Sequence, residues 1–244
     1  MSDAPALSVV VPCFDEAPII ERTAERLLRV LPGLEPSFEV VFCNDGSTDD
    51  TWDRLRALSL AHPAIRAEGY PDNRGAGHAF RMALRAARGR LVLHMDADLA
   101  MAPEKAGRAC LDGLRTHDLV FCSRYLGVPA RYPLHRRLPS EAYRRLYRAL
   151  LGVPVQDAMS GFFGLRREAL DALAPLESDG FEVYLELLVK ARRAGLRVKE
   201  VPVEFVHRTE SGEFSVLRQG PKQLARTFRV WRRFVLRGGS QGGA

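Results

Sequence analysis

The chain has 244 residues, 46% of them hydrophobic, which suits a buried core in one large domain and excludes a disordered or fibrous protein. Its net charge of +6 is unevenly spread: residues 1–104 carry 11 Lys+Arg against 16 Asp+Glu, and residues 105–244 carry 25 against 14. A basic second half points to an anionic partner or surface, although Arg-rich solvated faces give the same count. Leu7–Cys13 is a continuous apolar run, the mark of a strand buried on both faces. A helical pattern follows through Ile19, Ile20, Leu27, Leu28 and Leu31 and ends at Pro32-Gly33. Phe38–Cys43 reads as the second strand, and Ser47 and Thr48 offer N-caps for a helix over about Asp49–Ala61. Ile65–Glu68 reads as a short strand, Ala76–Arg88 as a helix and Leu91–Met95 as the next strand. Pro103 suits the first turn of a further helix, and Leu119–Cys122 is strand-like. This alternation predicts an α/β fold with a mainly parallel central sheet and helices on both faces.

The second half is less regular. Arg137–Leu151 and Val216–Leu236 read as basic amphipathic helices, Met159–Leu165 as a short extended segment, Phe181–Ala194 as a helix and Val198–Phe205 as a strand. The tail 238–244 is predicted to be disordered. Cys13, Cys43, Cys110 and Cys122 form no CxxC pair, which argues against a zinc cluster and for packed thiols in a reducing compartment. The first residues have neither a basic n-region nor an apolar h-region, so no signal peptide is expected. No stretch approaches the roughly 20 apolar residues of a membrane span, so any meeting with a membrane is peripheral.

Ligands of open parallel sheets bind at the carboxyl ends of the strands. Those ends carry Pro12 to Glu16, Asn44-Asp45-Gly46-Ser47, Asp96-Ala97-Asp98 and Ser123-Arg124. Carboxylates at three of four strand ends suit a divalent cation such as Mg²⁺ or Mn²⁺, which takes oxygen ligands and brings diphosphate oxygens with it. A lone DxD also reads as a solvated turn or a helix cap; its place between LVLHM and Pro103-Glu104 favours the cation.

The series VVVPCFDE, NDGSTD, NRGAGHA, MDADLA, SRY, DAMSGFFGLRREAL and VHRTESGEFS resembles the family 2 glycosyltransferases of the GT-A, Rossmann-like fold, over about Leu7 to Leu236. Among them it is most similar to the dolichyl- and polyprenyl-phosphate mannosyl- or glucosyltransferases. The resemblance implies a single domain over 1–237, with a nucleotide-sugar half to about 125 and an acceptor half from about 126. It implies that Pro12, Phe14, Glu16, Asn44, Asp45, Asp96, Ala97 and Asp98 bind the nucleotide sugar. Asp96 and Asp98 would hold Mg²⁺ or Mn²⁺, and Asn44 stands where the family often has a second acid. Ala100 stands where the mannosyltransferases often have Gln, closer to a glucosyltransferase-like form. Arg124, Arg136, Arg137, Ser160 and Gly161 would meet the acceptor. Asp98, Arg124 and Arg208 would carry catalysis, with Arg208 ahead of a Gly/Ser segment, Thr209–Ser215, that reads as a mobile loop.

The implied reaction is inverting, metal-dependent transfer of a hexose from GDP-mannose or UDP-glucose to a polyprenyl phosphate. The implied place is the cytoplasmic face of an anionic membrane, with no nucleic acid as partner. A phosphate monoester, with a second pKa of about 6, needs no general base. A hydroxyl acceptor would need one, for which Glu182 and Glu186 are the candidates. Two other readings compete: a family 2 enzyme acting on a hydroxyl acceptor, and a non-catalytic nucleotide-binding module, which intact Asp96, Asp98 and Arg208 argue against.

Overall fold

A computed structural model describes residues 4–126, 134–204 and 216–236, with side chains from 139 and from 220 in the last two segments. Seven strands form one sheet: β1 (Leu7–Cys13), β2 (Phe38–Asp45), β3 (Ile65–Tyr70), β4 (Leu91–Met95), β5 (Leu119–Ser123), β6 (Phe162–Arg166) and β7 (Val198–Pro202), in the order β3-β2-β1-β4-β6-β5-β7. All neighbours pair in parallel except β6, which runs antiparallel to both β4 and β5. Helices α1 (Ile20–Val30), α2 (Thr51–Ala61), α3 (Ala76–Ala86) and α4 (Pro103–Leu114) connect the first five strands. The second half adds α5 (Leu134–Leu151), α6 (Ala169–Leu173), α7 (Val183–Arg193) and α8 (Val216–Val230), the last continuing as a π turn over Trp231–Leu236.

Side chains of a strand alternate between faces, and β1 shows how the sheet divides two cores. Val10 joins Val41, Phe80, Phe121, Phe163 and Leu187 on one side, while Val9 and Val11 join Leu27, Phe42, Leu93 and Cys110 on the other. Both cores are closed to solvent, which is why β1 and β2 read as unbroken apolar runs. All four cysteines are buried and free, packed as small hydrophobes.

Two expectations change in detail. The N-cap of α2 is Asp50, which makes no side-chain capping bond, while Asp49 before it accepts the Thr51 amide at 2.9 Å. Ser47 and Thr48 bind Asp15 of the neighbouring loop instead, through the Asp15 amide at 3.0 Å and the Thr48 amide at 2.7 Å. The two basic amphipathic helices also part company. The stripe of α5 packs inward, with Tyr147 and Leu151 in the core. On α8 the core is met by Thr227, Val230 and Phe234, while Leu224 and Phe228 are 37% and 47% exposed. The inward row lies one position before the outward one, so α8 buries one flank of its apolar stripe and leaves the other in solvent. Among the described residues no helix is long and apolar enough to cross a membrane.

Candidate active site

The parallel strands end together along one rim of the sheet, and β6 brings a second chain segment to it. Because β6 runs antiparallel, it starts where β4 ends: Met95 pairs with Phe162. The Asp96 amide then donates to the Gly161 carbonyl at 3.0 Å. An added methyl at Gly161 would lie 1.7 Å from Asp96 Oδ2, so the carboxylate fills the place of the missing side chain. Asp96, Asp98, Leu99, Arg124, Met159 and Gly161 line an open cleft at this rim.

The turn after β4 is held from several sides. Thr23 of α1, itself buried, donates to the Ala97 carbonyl at 2.7 Å. Leu99 adopts φ 49°, unusual for a residue with a side chain, and its amide donates to the Asp96 carbonyl at 3.2 Å. The Ala100 amide donates to Asp98 Oδ1 at 3.0 Å. Asp96 keeps 52% of its side chain open to the cleft; partial desolvation at the sheet rim raises its acid, with Asp98 and Glu16 adding to the rise and Arg124 opposing it. Glu16 is likewise raised, to about 7, by burial first and then by Asp98, Asp49 and Asp15. Three acids therefore crowd one wall of the cleft.

Arg124 relieves them only in part. Asp157, 2% exposed, takes its guanidinium as a fork, Nε at 2.8 Å and Nη2 at 2.7 Å, and its amide at 2.9 Å. The Gln156 and Asp157 amides in turn donate to Glu200 at 2.9 and 2.8 Å. Arg124 is thus fixed in place and largely neutralised. Ser160 is fully buried: its hydroxyl donates to the Phe162 carbonyl at 3.1 Å and its amide to the Asp157 carbonyl at 3.1 Å. Of the Ser160-Gly161 pair it is Gly161 that lines the cleft.

Next to this wall lie the loops after β1 and β2. Asp15 takes φ 54° and bridges to Thr48, the Glu16 amide donates to Thr51 Oγ1 at 2.8 Å, and the Ala17 amide to Asp49 Oδ2 at 3.1 Å. Pro12 is half-buried and Phe14 is exposed above the rim. Asn44 is buried, its Oδ1 accepting the Ser47 amide at 3.3 Å. Asp45 is buried too. Its Oδ1 accepts from Tyr70 Oη at 2.7 Å and the Arg74 amide at 2.8 Å, and its Oδ2 from the Gly75 amide at 3.0 Å and Asn73 at 3.2 Å. Those bonds use the roughly four acceptor sites of a carboxylate. Asp45 therefore shapes the rim by holding the 73–75 turn. Gly46, at φ 65°, passes under that turn, where a Cβ would sit 2.4 Å from the Asn73 amide nitrogen.

Arg208 and Thr209–Ser215 lie outside the described residues, as do the side chains of Arg136 and Arg137. The sequence gives no sign of the roles of Thr23 and Asp157, or of the antiparallel pairing of the extended Met159–Leu165 segment. No local pattern marks them, because each acts on the cleft through a contact made across the fold.

Among the described residues no three ligand-type side chains converge into a cage for a metal ion. Asp96 and Asp98 nonetheless fit a hard divalent cation of the kind held by one or two carboxylates and completed by substrate phosphate oxygens and water. Arg124, which lines the same cleft, is already paired to Asp157 and only partly offsets the acids crowded there.

A GT-A glycosyltransferase is defined by this mainly parallel sheet with an acid pair at the end of β4. The glycosyl transferase family 2 model matches residues 8–174. A dolichol-phosphate mannosyltransferase of Saccharomyces cerevisiae is 32% identical over 212 residues, 83% of this chain and 78% of the yeast protein. The glycosyltransferase AglD of Haloferax volcanii is 34% identical over 205 residues, and there the match spans only 33% of the relative's length. A solved mannosyltransferase from Pyrobaculum calidifontis superposes with TM-score 0.65 at 24% identity, covering 94% of this chain and 65% of that one. The chain belongs to glycosyl transferase family 2.

Proposed function

We propose that this chain transfers a hexose from a nucleoside-diphosphate sugar to a polyprenyl phosphate at an anionic membrane surface, with inversion at the anomeric carbon. GDP-mannose and UDP-glucose are the donors to test. The yeast relative is a mannosyltransferase, which favours mannose, whereas Ala100 favours glucose. The Pyrobaculum enzyme was solved with GDP-Man and Mn²⁺, which supports a divalent cation at Asp96 and Asp98 here. Bound there, such a cation supplies Lewis-acid charge for the leaving diphosphate.

The observation that carries the acceptor class is the state of the two candidate bases. Glu186 is fully buried and accepts the Glu177 and Ser178 amides at 2.9 and 2.8 Å, with Lys190 at 2.7 Å. Glu182 is clamped by Arg226 at 3.3 Å and Arg229 at 3.1 Å. Glu186 is committed to joining α7 to its surroundings, and Glu182 is ion-paired there although its buried Oε2 has no hydrogen-bond partner among the described residues. Neither lines the cleft of Asp96 and Asp98, and a phosphate monoester requires no base. In this reading Asp96 and Asp98 orient the diphosphate, Gly161 leaves room for the Asp96 carboxylate, and Arg124, locked by Asp157, faces the acceptor phosphate. Arg208, Arg136 and Arg137 are proposed to add charge on the acceptor side.

The outward face of α8 supports the membrane. Leu224 and Phe228 are exposed beside Lys222, Arg229 and Arg232, and Phe181 is 45% exposed. An apolar row flanked by cations suits the headgroup boundary, where each basic residue contributes about 1 kcal/mol. This placement brings the cleft to a phosphate whose polyprenyl tail stays in lipid. The test is transfer of labelled sugar from each donor into butanol-extractable lipid, in anionic vesicles containing polyprenyl phosphate, with Mn²⁺ or excess chelator. Label that enters lipid with Mn²⁺ and stays out with chelator is expected. Label that never enters lipid, or enters equally with chelator, overturns the proposal.

A further inference from the structure

His94 is out of place by composition. It occupies the fourth position of β4, in a strand otherwise apolar, and faces the core side shared by Val92. Phe80, Phe163 and Tyr184 surround its ring at centroid distances of 5.1, 4.7 and 5.2 Å. It is 1% exposed. An apolar side chain would fit that aromatic setting without the desolvation of two ring nitrogens.

The nitrogens are used unequally. Nε2 lies 2.9 Å from the Tyr184 hydroxyl and 3.8 Å from Asp96 Oδ1, while Nδ1 is buried with no hydrogen-bond partner. An orphaned lone pair is cheaper to bury than an orphaned N–H, so the proton belongs on Nε2, facing the tyrosine and the carboxylate. Tyr184, on α7, is itself 2% exposed, and it is burial first, with the Asp96 charge second, that raises its phenol. On the other flank Gly161 abuts Asp96 Oδ2. The carboxylate is thereby set between a glycine backbone and a buried polar pair.

We propose that His94 and Tyr184 are a positioning pair, fixing the Asp96 carboxylate from behind in the orientation that receives a cation-bound nucleoside diphosphate. The inference rests on the role given to Asp96 above. A polar pair with an orphaned nitrogen weakens the core it sits in, and replacing both partners by apolar groups of similar shape is neutral or stabilising. A positioning role therefore predicts that stability and ligand binding move in opposite directions, which a purely structural role does not.

The test compares wild type, Tyr184→Phe and the double variant His94→Leu/Tyr184→Phe. Melting temperature is read alone, and Mn²⁺ affinity is read by calorimetry in the presence of GDP or UDP. The double variant is expected to melt at or above the wild-type temperature while Mn²⁺ affinity falls about tenfold, as when partners of ligating residues are removed elsewhere. Tyr184→Phe, which deletes one oxygen, is expected to lose part of that affinity, and it decides the matter should the double variant not fold. Affinity retained within about twofold in the folded variants, well short of that loss, overturns the pair and leaves the transferase reading standing. A loss of affinity that merely follows a loss of stability also overturns it. Wild-type protein that binds neither nucleotide with Mn²⁺ overturns both.

Discussion

In the proposed reaction Asp98 and Asp96 act on charge, so their removal should be felt in turnover more than in folding. Asp98→Ala is expected to lower transfer by about 10²–10³, the usual loss when one stabiliser of developing charge is removed. Steady-state kinetics of the purified variant, with donor affinity alongside, checks this. Gly161→Ala should be nearly as damaging, since its methyl would occupy the position of Asp96 Oδ2. Glu16 offers a pH test. Its folded acid sits near 7 against 4.5 when free, so the folded chain holds a proton there that the unfolded chain has lost. That site favours the fold most below about 4.5 and loses its contribution as pH rises to about 7. His94, depressed to about 3, works with the opposite sign over much of the same range, which is why a variant is needed to isolate Glu16. Glu16→Gln should therefore gain stability relative to wild type between pH 5 and pH 8, read as a widening gap in denaturant midpoints. A gap that stays constant with pH would contradict the crowding of acids on this wall. Asp96, Asp98 and Glu16 were legible in the sequence because strand ends announce themselves. The saturation of Asp45 and the locking of Arg124 were not, because Tyr70, Asn73 and Asp157 reach them from sites 25 to 33 residues away.

The elements divide between those that a periodic pattern reveals and those that depend on a neighbour. Strands β1, β2 and β4 are visible as apolar runs, but the orientation of β6 is not, because pairing direction leaves no mark in Phe162–Arg166. Amphipathicity likewise predicts α5 and α8 equally well and says nothing of what covers their stripes. The fold buries Tyr147 and Leu151 of α5 and leaves Leu224 and Phe228 of α8 in solvent. The double substitution Leu224→Asp/Phe228→Asp should accordingly change stability by no more than about 0.5 kcal/mol per site, as surface changes do. The same variant should lose co-sedimentation with anionic vesicles at low salt. Retained vesicle binding would move the membrane contact away from α8. Helix α7 gives a complementary expectation. Glu186→Gln removes charge from a carboxylate that holds two amides and Lys190, so the fold should lose roughly 1–3 kcal/mol. Turnover of the folded fraction should fall less than the 10²–10⁴-fold that loss of a general base would cause.

At the scale of the whole molecule, an acidic wall on one half meets a basic second half whose outermost helix keeps an apolar row exposed. A hard cation, a diphosphate donor and an anionic acceptor held in lipid together account for that distribution of charge, and a soluble hydroxyl acceptor accounts only for the first half. In the proposed reaction a phosphate oxygen attacks the anomeric carbon directly, without a protein base. The most direct measurement is the NMR structure of the lipid product formed from an α-linked nucleotide sugar in anionic vesicles that contain polyprenyl phosphate and free polyprenol together. The account predicts sugar joined to the phosphate oxygen in the β configuration. An α-linked product, or sugar joined to the polyprenol hydroxyl, would contradict it.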